Sequence, residues 1–126
     1  MRVLIDTHIL IWHLEGNSQL PPSQRQIISD PTNNVFISVA SFWEIAIKSS
    51  RGKLSLSRSI EEIVKEVRSS TSSILLIEPE HTAEVAKLPF HHNDPFDRMI
   101  IAQAIVEDMT IITIDKNFGD YGVIVF

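Results

Sequence analysis

Four acids lie far apart in the chain, each beside an apolar run: Asp6, Glu44, Asp97 and Asp115. Carboxylates gathered at one point repel each other, and a hard divalent cation is the usual remedy. The chain has no cysteine. That removes disulfides, thiolate catalysis and thiolate metal sites together, and leaves carboxylate and imidazole as the strong ligands. Mg²⁺ takes oxygen ligands, keeps several waters and is commonly held by one or two carboxylates plus a substrate phosphate. Such a site suits phosphodiester hydrolysis, because metal ions clamp the phosphate, lower the pKa of an attacking water and stabilise the leaving oxygen. No nucleophilic side chain is required. No two of His8, His91 and His92 have the i,i+4 spacing of a helical zinc pair, so they read as loop or surface residues.

Separate elements have to carry these acids to one place. Arg2 to Ile5 is a short apolar run ending at Asp6 and reads as a strand, and Val35 to Ile37, Ile74 to Ile77, Ile111 to Ile114 and Val123 to Val125 read the same way. Helices are expected between them at about 9–14, 23–29, 39–50, 59–69, 80–88 and 95–108. Continuous apolar strands alternating with helices are the mark of a parallel sheet covered on both faces. The expected fold is therefore α/β, a three-layer sandwich with a five-stranded parallel sheet flanked by helices. In such sheets ligands bind in the crevice outside the carboxyl ends of the strands. Asp6 and Asp115 directly follow strands, and Glu44 sits early in the helix after the second strand.

Each acid also has a purely structural use. Asp6 and Asp115 can cap turns. Ser41 to Glu44 matches a capping box, and Glu44 to Lys48 an i,i+4 ion pair. In Asp94-Pro95-Phe96-Asp97-Arg98, Asp94 is a good N-cap, Pro95 suits the first helical position, and Asp97 falls where a capping-box acid would reach back. Asp97 nevertheless shares a helical face with Ile100, Ile101 and Ala104, so its carboxylate points along a buried stripe and needs a partner, a proton or a metal. Arg98, one turn after Asp94, is expected to pair with Asp94.

With 44 % apolar and 21 % charged residues, 126 residues suffice for one domain with its own core, spanning 1–126. The net charge of −5 argues mildly against nucleic-acid binding. A local positive surface from Lys48, Arg51, Lys53 and Arg58 qualifies this, and Lys48, Arg51, Lys53 and Lys116 are candidates for phosphate contact. No apolar run approaches the ~20 residues of a bilayer span, and the start of the chain lacks a signal-peptide layout, which predicts a cytoplasmic protein. Trp12 and Trp43 could stack on bases, but apolar neighbours favour core or a dimer interface.

The chain resembles PIN-domain nucleases, and within them the toxin ribonucleases of VapBC-type toxin–antitoxin pairs. The resemblance is carried by Leu4-Ile5-Asp6-Thr7-His8, by Ser41-Phe42-Trp43-Glu44-Ile45, by the run from Asp94 to Ala104 and by Thr113-Ile114-Asp115-Lys116-Asn117-Phe118. It implies a metal-dependent endoribonuclease in which Asp6, Glu44, Asp97 and Asp115 form the acidic site for Mg²⁺ or Mn²⁺. Asp6 and Asp97 would be the foremost ligands, and Thr7 and Thr113 would orient ligands or water. It also implies an RNA substrate, a homodimer and inhibition by a cognate antitoxin. The block carries two acids, and Asp97, not Asp94, is the one expected to face the metal.

Two other classes share this layout. Phosphatases with an aspartyl-phosphate intermediate also place an aspartate after the first strand, but they usually need a second acid two residues on, where His8 stands. A non-catalytic module could keep the fold as a binding surface, but it would have little reason to retain all four acids.

Overall fold

The first strand is short and wholly apolar after Arg2, so it can lie in the middle of a sheet with both faces covered. In the computed structural model, which describes residues 1–126, it does so. The chain runs β1 (Arg2–Ile5), α1 (Thr7–Glu15), α2 (Pro22–Ser29), β2 (Asn34–Ser38), α3 (Val39–Ser50), α4 (Ile60–Ser69), β3 (Ser73–Leu75), α5 (Pro79–Lys87), α6 (Pro95–Glu107) and β4 (Thr110–Ile112). A short 3₁₀ helix over Lys116–Tyr121 follows. All strand pairs are parallel, in the order β3-β2-β1-β4. Ile5 lies level with Ile37 on one side and Ile112 on the other, so these strands end together.

Alternation along β1 divides the core. Val3 and Ile5 face a cluster with Ile9 and Leu10 of α1, Ile45 of α3 and Ile63 and Val67 of α4. Leu4 faces the opposite cluster, with Ile100, Ile101 and Ala104 of α6, Leu88 and Phe118. Helices thus cover both faces of the sheet, the three-layer arrangement expected. Full burial of each of these aliphatic side chains is worth about 1.5–3 kcal/mol, so the sheet's end is a firm platform.

Four strands form where five were expected. Val123 to Val125 does run beside β4, where Ile111 bonds to Ile124 and Phe126 and the amide of Thr113 donates to the carbonyl of Phe126. Only the pair Ile111 and Val125 forms a bridge. The 3₁₀ helix ends at Gly122, which has a left-handed backbone (φ 75°), and the run that follows meets β4 through these three hydrogen bonds alone. No helix is long and apolar enough to cross a membrane.

Candidate active site

Where β1 ends, Asp6 becomes the N-cap of α1. Its Oδ1 accepts from the amide of Ile9 at 2.8 Å, and its Oδ2 accepts from Thr113 Oγ1, just beyond β4. Thr113 Oγ1 in turn accepts from the amide of Asp115 at 3.0 Å, so one hydroxyl links the acids after two neighbouring strands. Asp115 caps the 3₁₀ helix through the amide of Asn117 (2.9 Å). Asp94 caps α6 by accepting from the amides of Phe96 and Asp97. Thr7 donates to Ser41 Oγ (3.0 Å), tying α1 to α3 near the same edge.

Asp6, Glu44, Asp94, Asp97 and Asp115 all line one cleft of about 630 Å³ at the carboxyl edge of the sheet. Side-chain oxygens of Glu44, Asp94 and Asp97 lie within 4.8 Å of one another, and Asp97 and Asp115 form a second such group with His92. Asp97 belongs to both. Asp6 belongs to neither, although it shares the cleft.

Crowding has an electrostatic consequence. The Asp97 carboxyl is pushed up to about 7, first by burial and then by the charges of Asp94 and Glu44, against the pull of His92. Burial also raises Asp6 above the usual carboxylate range, opposed by its bonds from Thr113 and Ile9. Glu44 is buried (5 % exposed); its Oε2 takes the Lys48 ammonium at 2.5 Å, while Oε1 is buried without any partner. A buried carboxylate oxygen without a donor costs stability unless something cationic meets it. A set of carboxylate oxygens with one such orphan, beside an acid that resists ionisation, fits a hard divalent cation.

Three of the structural uses expected for these acids do not occur. Helix α3 starts at Val39 with Ser38 as its cap, donor to which is the amide of Ala40, so Ser41 and Glu44 form no capping box and Glu44 stands in the second turn. Nor does Arg98 pair with Asp94. Its buried guanidinium turns away and donates to the carbonyls of Val85, Leu88, Pro89 and His92, under the ring of Phe90. Asp97 does not reach back as a capping-box acid either, because the Asp94 amide donates to His92 Nδ1 at 3.1 Å.

His92, read from sequence as a loop or surface residue, lies in the loop before α6 but also joins the candidate site, which that reading missed. Its Nε2 lies 3.1 Å from Asp97 Oδ2 and 2.9 Å from Asp115 Oδ2. Its only sequence signal was its place two residues before a helix-capping aspartate. His8 and His91 instead stack edge-on against Trp12 and Tyr121. Among the basic candidates, Lys48 and Lys53 line the cleft and Arg51 and Lys116 do not. Trp12 packs partly against the core, but Trp43 is 58 % exposed and rests edge-on against Phe96 at 5.0 Å, so core is ruled out for it.

A family model described as the PIN domain matches residues 3–124. The chain belongs to the PIN domain family. Solved structures similar to this PIN domain include VapBC2 from Rickettsia felis bound to a DNA fragment from its promoter, at 18 % identity and TM-score 0.72, covering 100 % of this chain and 98 % of that one. Mycobacterium tuberculosis VapC20, a sarcin–ricin loop cleaving toxin, matches at 14 % identity and TM-score 0.70 over 97 % and 96 %. A toxin–antitoxin complex from Klebsiella pneumoniae matches at 24 % and 0.63 over 97 % and 95 %. At these identities the likeness concerns the PIN fold. No curated protein sequence matches significantly.

Proposed function

We propose that this PIN domain is a metal-dependent endoribonuclease and the toxin of a toxin–antitoxin pair, with Asp6, Glu44, Asp97 and Asp115 as its metal-holding acids. The observation that carries this reading is the convergence of acids from four elements in one cleft, with Glu44 Oε1 buried and unpartnered. Mg²⁺ or Mn²⁺ held there would neutralise the scissile phosphate and supply a water of lowered pKa.

The chain's own residues prepare that site. Thr113 donates to Asp6 and so favours its ionised form despite burial. Lys48 holds Glu44 by one oxygen and leaves the other free. Lys48 and Lys53 set positive charge on the cleft wall, where RNA phosphates would pass, which answers the net charge of −5. Asp94 is engaged twice as a helix cap and serves structure first.

A structural neighbour described as a toxin–antitoxin complex, and one as a sarcin–ricin loop cleaving toxin, support a cognate antitoxin and an RNA substrate for this chain too. On the same reading the protein acts in the cytoplasm as a homodimer, which light scattering on the purified chain would check. The phosphatase reading is disfavoured: both Asp6 oxygens already accept hydrogen bonds, and His8, two residues on, is exposed and stacked on Trp12.

The deciding experiment is cleavage of single-stranded RNA with Mn²⁺ or Mg²⁺ against a chelator, repeated with Asp6→Asn and Asp97→Asn. Loss of metal-dependent cleavage in both folded variants is expected. Undiminished cleavage by either would remove that residue from the site, and intact RNA with both metals would sink the nuclease reading.

A further inference from the structure

The loop between α5 and α6 is fastened from below. Arg98 donates to the carbonyls of Pro89 and His92, and Tyr121 Oη donates to Pro89 and accepts from the His92 amide at 2.7 Å. The His92 ring is edge-on to the fully buried Phe118 at 5.7 Å. With backbone and ring both held, the side chain has little freedom.

Its hydrogen bonds then select one tautomer. A backbone N–H can only donate, so Nδ1, which receives the Asp94 amide, carries no proton, and the ring proton sits on Nε2. That one N–H faces Asp97 Oδ2 and Asp115 Oδ2 together. An imidazole nitrogen bearing a proton cannot ligate a metal, and moving the proton to Nδ1 would set it against the Asp94 N–H.

We propose that His92 is a positioning residue: its Nε2–H, fixed by the Asp94 amide, is shared between Asp97 and Asp115 and gathers two acids from different elements at one point. The inference rests on the reading of those acids as metal-holding. Hydrogen-bonding partners of ligating groups typically control metal affinity by 10–100-fold. His92 does so here without touching the ion. Gln places an N–H₂ close to where the histidine has Nε2–H, so it keeps the donor and loses the imidazole.

The test measures Mn²⁺ binding by calorimetry on the full-length wild type, His92→Ala and His92→Gln, with RNA cleavage across a Mn²⁺ series. His92→Ala should bind Mn²⁺ about 10–100-fold more weakly, and its cleavage should recover at saturating Mn²⁺. His92→Gln should restore most of the affinity. Nitrogen-resolved NMR of the wild type, with chelator present, should find the proton on Nε2. Unchanged binding in a folded His92→Ala, or a proton on Nδ1, would overturn the proposal alone. His92→Gln as weak as His92→Ala would also overturn it, because a direct ligand behaves that way. A wild type that binds no Mn²⁺ would overturn both this role and the nuclease reading.

Discussion

Asp97→Asn should stabilise the metal-free protein at alkaline pH while abolishing its response to metal. The Asp97 carboxyl titrates at about 7 in the fold against 3.8 for the free side chain. A raised carboxylate pKa means that the folded state disfavours the charge. The group's contribution to stability is therefore intact below 3.8 and is lost as pH rises toward 7. At 1.36 kcal/mol per pH unit, the full penalty at pH 8 is at most about 4 kcal/mol. The side chain is 21 % exposed, and solvent screening brings this to about 2 kcal/mol. Asp97 also lies in the first turn of α6, where an acid gains about 0.5 kcal/mol from the helix dipole that asparagine would forgo. Asparagine can still accept from His92 Nε2, so that contact survives. The net gain is about 1.5 kcal/mol, or about 6 °C in Tm for a domain of this size. At pH 4.5 only about a quarter of the penalty remains. The assay is thermal unfolding by circular dichroism in chelator at both pH values, then with Mn²⁺, which should raise Tm for wild type only. An asparagine variant that melts no higher than wild type at pH 8, or gains equally at both pH values, would refute the charge-crowding argument.

Other substitutions probe the neighbouring parts. Arg98→Ala removes four hydrogen bonds from a buried cation, although Pro89 keeps Tyr121 Oη and Val85 keeps the Leu88 amide, and should cost at least about 3 kcal/mol in urea denaturation, with Arg98→Lys recovering only part; a loss under about 1 kcal/mol would contradict the anchoring role. Thr113→Val removes the hydroxyl that donates to buried Asp6 and accepts from the Asp115 amide and should cost about 1–3 kcal/mol, whereas Thr113→Ser should cost less than half of that in the same assay. Glu44→Gln should weaken Mn²⁺ binding measured by calorimetry by about tenfold or more while leaving the melting temperature in chelator unchanged or higher; undiminished affinity would exclude Glu44 from the metal's reach.

The architecture was legible because hydrophobic runs without alternation have one economical solution. Val3, Leu4 and Ile5 have to be covered on both sides, and the alternating helices supply the cover. The one misjudged element, Val123 to Val125, shows where that logic weakens. Its run is as apolar as β1 and lies beside β4, but the pairing extends to one bridge only. Local apolarity does not record how many residues pair.

The acids were legible as members of one site because strand ends are easy to place and a parallel sheet puts them at one edge. Their ranking was not. Asp6 and Asp97 stood as equals on strand and helix position alone, but with side chains in place Asp97 is common to both close groups and Asp6 is held apart by Ile9 and Thr113. Sequence patterns of capping and ion pairing assume that the nearest eligible partner wins. In the Asp94 block that assumption fails twice: Arg98 leaves Asp94 for the carbonyls of Val85, Leu88, Pro89 and His92, and the Asp94 amide goes to His92 and not to Asp97. Both departures involve one loop. A buried guanidinium is retained only if its donors are satisfied, and the carbonyls of Val85 and Leu88 at the end of α5 together with residues 89–92 folded over Arg98 satisfy them. That same folding delivers His92 to Asp97 and Asp115. The arginine therefore sets the position of the histidine, and the histidine sets that of the acids, a chain of contacts that spacing rules between pairs of residues cannot reveal.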